Sequence, residues 1–261
     1  QQATLLQREL DRSLASLRLE EVRNRGLPPI AETSEAAYAR FSEARTDKHY
    51  RLLVDAGFIA DKPYYRSAFA AQTPGYVAPA DRNFFSHVTA LDPLPLISHF
   101  YHWIELARLV HEPHPSPIRQ ATPLFNMFED RSEGWATAME EVAMHAGLYD
   151  DVPRGRELVW VMLANRAARG LASLRVQANE IGLDEAGKFH AAWTPRGWSD
   201  ASSRLVGFEQ LLYLRQPGYG PSYIIGKLQL DRLLAQASYR AEQQKRPFVF
   251  RDTFAEILDS G

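Results

Sequence analysis

His111 followed directly by Glu112, at the end of an apolar helix-periodic run, is the pairing that zinc hydrolysis uses. Imidazole holds the ion, and the carboxylate takes a proton from its water. A catalytic zinc needs about three protein ligands, and in an HExxH helix the second histidine comes one turn later. Position 115 is Pro, so the HExxH pattern is not completed. Glu133 and Glu140 in "RSEGWATAMEE" fall on about the same helical face, roughly 10 Å apart along the axis, too far for both to bind one ion directly. His114, three residues after His111, is the nearest further histidine, and i,i+3 positions on a continuous helix share a face. Pro113 and Pro115 oppose a regular helix there. His99 and His102 form another i,i+3 pair, but His102 lies about 180° around an ideal helix from His111. They are therefore read as buried, hydrogen-bonded histidines.

The elements that must position these groups read as helices. Residues 4–25 carry Leu6, Leu10, Leu14 and Leu17 on one stripe and stop at Gly26, Pro28 and Pro29. A second helix starts at Thr33 or Ser34 and ends at Gly57. Residues 58–92 show no sustained period and are expected to be a long irregular loop. Residues 95–111 predict one mostly buried helix, broken by Pro113, Pro115 and Pro117. Further helices are expected at 124–146, from a cap at Asp150 or Asp151 to Ile181, and at 183–193, 199–214, 222–243 and 251–259. Nothing alternates with period two, so the expected fold class is all-α. With no repeat or low-complexity linker, residues 1–261 are read as one helical domain: N-terminal helices 1–57, the loop 58–92 and a helical core 93–261.

Composition narrows the classes. A formal net charge of −2 supplies no basic field for nucleic acid. The absence of cysteine removes thiolate ligands and a cysteine nucleophile and leaves His, Asp and Glu for any metal. No run reaches the roughly 18 apolar residues that would span a bilayer. A chain starting at Gln1 rather than Met leads to the expectation of an exported, periplasmic or secreted protein.

His111, Glu112, Pro115 and Gln120, then "EGWA" at 133–136, "GLYDD" at 147–151, "RAAR" at 166–169 and "PGYGPSYIIGKLQL" at 217–230 form a co-linear set. In that order the chain resembles the bacterial family described as domain of unknown function 885, over about residues 35–243. Those proteins are all-helical zinc-peptidase-like, of the gluzincin kind, with motifs HExxPGH, EGWAxYxE, DTGxH and PGQAxxYxxG. Typical members are about twice as long, so the resemblance implies their C-terminal half and a zincin-like core. It also implies His111 and Glu133 as metal ligands and Glu112 as base. The second histidine of HExxPGH falls on Pro117, the histidine of DTGxH on Gln177 and the tyrosine of EGWAxY on Ala138, while Pro217, Gly218, Tyr223 and Gly226 are kept.

Losses at the metal and substrate positions, with scaffold motifs kept, give the leading expectation. It is a degenerate zinc-peptidase-like protein that binds or transforms a small-molecule or peptide-like ligand by metal-free acid/base chemistry, as an isomerase, lyase or cyclase, without a cofactor. Glu112, Glu133 and Tyr223 are its candidate catalytic residues, and His111, Trp135, Arg175 and Gln177 its candidate substrate-binding ones. An active zinc peptidase using His111, His114 and Glu133 is the first alternative. A non-catalytic binding or partner protein is the second.

Overall fold

The leucine stripe of the first segment produces α1 (Gln2–Arg23), which buries Leu6, Leu10 and Leu17; the chain then turns at Gly26 with φ +90°. α2 (Glu35–Asp55) starts after Ser34 and is stopped by Gly57, whose φ of +74° suits glycine. The computed structural model describes residues 1–120 and 129–259, and every regular element among them is helical. Among these residues no helix is long and apolar enough to cross a membrane.

The stretch 58–92 differs from the expected irregular loop. It contains α3 (Pro63–Ala70) and α4 (Phe84–Leu91), joined through a short 3-10 turn at Pro79–Asp81. Pro63 pre-sets the first turn of α3, and Asn83 and Ser86 form a reciprocal capping box at α4. Two turns are too few to print a hydrophobic period, so end signals alone mark these helices. The expected helix 95–111 is two helices, α5 (Leu94–His99) and α6 (Tyr101–His111). The Ser98 hydroxyl donates to the Pro95 carbonyl, and the Phe100 N–H bonds Ile97 at 2.9 Å, three residues back, which tightens the chain at Phe100.

α7 (Pro117–Gln120) precedes α8 (Glu129–His145); the part of the expected helix 124–146 before Glu129 lies outside the described residues. α9 (Gly155–Gln177) is shorter at both ends than expected. Asp151 does not cap it, because Arg45 and Lys48 take its carboxylate. At the other end Asn179 enters the left-handed region at φ +57° and ends the helix before Gly182. α10 (Leu183–Trp193), α11 (Arg204–Arg215), α12 (Tyr219–Gln243) and α13 (Phe250–Asp259) follow.

α9 is the axis of the packing. It is buried without a break from Glu157 to Ser173 and touches α1, α10, α11 and α12. A helix apolar on all sides belongs in a core, so the two guanidiniums in its middle, Arg166 and Arg169, need partners there. α8 crosses α12 where Gly134 meets Gly226: a Cβ on Gly134 would lie 2.3 Å from Gly226 Cα, and one on Gly226 would lie 1.7 Å from the Asp130 carbonyl oxygen. Only paired glycines permit that approach. It sets Glu133, one residue before the crossing, beside the first turns of α12.

Candidate functional site

The His-Glu pair does not meet Glu133. α6 ends at His111, and Glu112 leaves the helix with φ −132° and ψ 67°, so both residues face α3. His111 is exposed and stacks on Tyr64 at 4.3 Å between ring centres. Glu112 Oε1 accepts from the Tyr65 hydroxyl at 2.8 Å, from Tyr64 and from Lys62 Nζ at 2.6 Å. Burial would push this carboxyl up, but the three donors outweigh it and hold it at about 2. Such a carboxylate is a weak proton acceptor, unlike the base expected of it. His114 accepts the Ser116 N–H at Nδ1 and contacts the Asp259 carbonyl through Nε2, so both ring nitrogens are engaged. The expected set His111, His114 and Glu133 is not brought together: His111 stacks on Tyr64, His114 is held by Ser116 and Asp259, and Glu133 meets His99 and Tyr219.

Other expected substrate residues serve packing. Trp135 is buried against Tyr101 and Phe254. Arg175 pairs with Glu180 at 3.5 Å and covers Phe189. Gln177 donates to the carbonyls of Tyr213 and Leu214, tying the end of α9 to α11. Of the residues singled out, Glu133 and Tyr223 come together.

They line a cavity of about 370 Å³ between α4, α5, α6, α8, α9, α11 and α12. Its apolar side includes Phe85, Leu205, Phe208 and Leu212, and its polar side His99, His102, Glu133, Arg166, Arg169 and Tyr223. This volume lies within the range of small-molecule sites. His99 Nε2 is 3.0 Å from Glu133 Oε2, and its Nδ1 is 3.0 Å from Glu140 Oε1. Glu140 is in turn held by Arg166, through Nε at 3.0 Å and through Nη2. The other oxygen of Glu133 accepts from the Tyr219 hydroxyl at 2.6 Å. Burial would raise the Glu133 carboxyl, yet His99, His102 and Tyr219 together take it down to about 2. Burial lowers His102 to about 3, which keeps its imidazole neutral and its lone pair available. Tyr223, raised by burial to about 12, keeps its phenolic proton.

Among the described residues, His99, His102 and Glu133 form a group whose ligand atoms all lie within 4.8 Å of one another. Tetrahedral zinc, with bonds near 2.1 Å, holds its ligand atoms about 3.4 Å apart, so small side-chain movements close this set. Two imidazoles and a carboxylate are a catalytic zinc donor set, and a carboxylate on the far nitrogen of a ligand histidine is its usual support. Around the cavity, Glu133, Glu140 and Glu209 face Arg166 and Arg169, leaving one negative charge in excess when both histidines are neutral. The residues present fit a divalent cation. The sequence signal for this centre was the HFYH spacing at 99–102, which puts two imidazoles on one face. Arg166 and Arg169 lie in the RAAR stretch and Tyr219 in PGYGPSYIIGKLQL, but no spacing marks them for this centre, and Glu209 carries no sequence signal.

Comparison of the chain with protein-family models, with curated proteins and with solved structures returns no match.

Proposed function

We propose that the chain is a metal-dependent enzyme of the hydrolase type, with His99, His102 and Glu133 holding a divalent ion, zinc by its donor set, at the polar side of the α9–α11–α12 cavity. The observation that carries this reading is the convergence of three ligand atoms within 4.8 Å, with Glu140 behind His99. The resemblance to zinc-peptidase-like proteins agrees in kind, but here the histidines come from the α5–α6 corner instead of the His-Glu segment. A bound zinc ion supplies Lewis-acid polarisation and water activation. The chain's own groups do the rest. Glu140 Oε1 lies 3.0 Å from His99 Nδ1, on the side of the ring away from Glu133, and the Tyr219 hydroxyl donates to the Glu133 carboxylate. Tyr223 offers a phenolic O–H to negative charge developing on a substrate oxygen, and the apolar side gives the body of a substrate a surface to pack on. The substrate is a small-molecule or peptide-like compound, and a net charge of −2 offers nothing for nucleic acid.

A second reading uses the same cavity without the ion. His99 Nε2 directly against Glu133 Oε2 is an imidazole oriented by a carboxylate, an arrangement suited to isomerase, lyase or cyclase chemistry. Metal analysis of protein purified without chelator, followed by zinc titration, separates the two. The proposal expects one zinc per chain, lost in His99→Ala and Glu133→Gln and retained in His111→Ala. Failure to bind zinc even on titration overturns it in favour of the second reading.

A further inference from the structure

The two arginines at the centre of α9 are placed alike and used differently. Arg166 and Arg169 are three residues apart on one helical face, each 2% exposed, and both line the cavity. Arg166 offers its Nε–Nη2 edge to Glu140, a carboxylate of the protein itself. Arg169 is tied instead through Nη1 to Glu209. Its Nε is buried and, among the described residues, has no acceptor. The Nε–Nη2 edge, by which a guanidinium grips a carboxylate side-on, is taken by Glu140 at Arg166, whereas at Arg169 the buried Nε N–H has no acceptor among the described residues. The ring of Tyr223 lies 4.3 Å from the Arg169 guanidinium carbon, with Phe85 at 5.8 Å and Tyr213 at 6.0 Å, so aromatic faces hold the cation in place. Leaving a buried guanidinium N–H unbonded is unfavourable, and a ligand acceptor would remove that cost.

We infer that the cavity takes a molecule bearing a carboxylate on an apolar or aromatic body, with the carboxylate on the Nε–Nη2 edge of Arg169 and the body against Phe85, Leu205, Phe208 and Leu212. This names the substrate class of the enzyme proposed above and rests on that reading for the identity of the cavity as the functional site. Charge agrees with the assignment. A divalent ion at His99, His102 and Glu133 turns the excess of one negative charge into one positive charge, and a single ligand carboxylate returns it to zero.

Calorimetric titration and thermal shift with phenylacetate and hexanoate, against the matched neutral probes phenylacetamide and hexanamide, test it on zinc-loaded and chelator-treated full-length chain. Both carboxylates are expected to bind and raise Tm in both preparations, more weakly in the chelator-treated one where the excess negative charge is unrelieved, and the amides are not. Arg169→Gln and Arg169→Lys should weaken carboxylate binding by about 10- to 100-fold, lysine included because it lacks the planar edge. Should those variants not fold, Leu212→Trp, at a half-buried position, fills the cavity while leaving Arg169 and Glu209 intact, and should abolish binding. Equal binding of acids and amides, unchanged affinity in the Arg169 variants or in Leu212→Trp, or carboxylate binding that needs zinc but not Arg169 would each overturn the inference. Zinc uptake without carboxylate binding defeats this inference and leaves the metal centre standing. Carboxylate binding through Arg169 without zinc uptake does the reverse.

Discussion

Glu112 and Glu133 are both held near 2, by different kinds of neighbour. Glu112 sits at a helix end with its side chain 31% exposed, gripped by Lys62, Tyr64 and Tyr65. The Lys62 ammonium has no lone pair to give a metal and already balances this carboxylate, with the two phenols donating beside it. Glu133 is buried, and its main partner is His99, an imidazole that can give up its proton and offer a lone pair. The same stabilised carboxylate is thus a surface clasp in one place and an exchangeable centre in the other. What separates them is whether the partner can trade a proton for a metal, and whether further residues hold that partner in place.

Removing the support should expose the difference most strongly. Glu140 is fully buried, balances the Arg166 charge and lies 3.0 Å from the far ring nitrogen of His99. Glu140→Gln leaves the Arg166 charge without a counter-ion, so denaturant unfolding should show a loss of about 3–5 kcal/mol. In the protein that remains folded, zinc affinity should drop by about 10- to 100-fold, the range for losing the carboxylate behind a ligand histidine. Glu112→Gln should leave zinc affinity unchanged. Equal effects of the two substitutions on zinc binding would erase the distinction.

The next test moves the helix that carries Glu133. Gly226→Ala places a methyl 1.7 Å from the Asp130 carbonyl, so α8 and α12 must separate. A loss of about 1–3 kcal/mol or more is expected. With the separation, the Tyr219 to Glu133 bond lengthens and zinc affinity falls, although neither residue is changed. Gly75→Ala, with nothing within 4 Å of the added methyl, should shift stability by no more than about 0.5 kcal/mol.

How much of this was legible in sequence depends on the reach of each signal. Long stripes such as Leu6 to Leu17, and stops such as Gly26 and Gly57, act within one element and predicted α1 and α2 closely. The end of α9 was missed because Asn179, not the more conspicuous Gly182, takes the left-handed turn. At the site, Glu133 and Tyr223 were found through motifs on α8 and α12, helices that cross at Gly134 and Gly226. Measured from His111 along a single straight helix, His102 falls on the opposite side, and the pair reads as structural. The break at Phe100 and the packing of α5 on α8 decide instead which carboxylate they meet, and helical period carries no information about that. Arg175 and Gln177 were chosen by motif position. They lie past the stretch of α9 that faces the cavity, where Arg166 and Arg169 stand.

The smallest expected effect concerns the surface clasp itself. The Glu112 carboxyl is lowered in the fold from the ordinary 4.5 to about 2 by Lys62, Tyr64 and Tyr65. A depressed carboxyl stabilises the fold above its unfolded value, so its contribution should be complete above about pH 4.5 and fade as pH falls towards 2. With the side chain partly in solvent, screening limits it to about 1 kcal/mol. Stability curves of wild type and Glu112→Gln should differ by that amount at pH 6 and converge near pH 2, and added salt should shrink the gap. A gap that persists at pH 2 would mean that Glu112 acts through packing, and the contrast with Glu133 would then rest on burial alone.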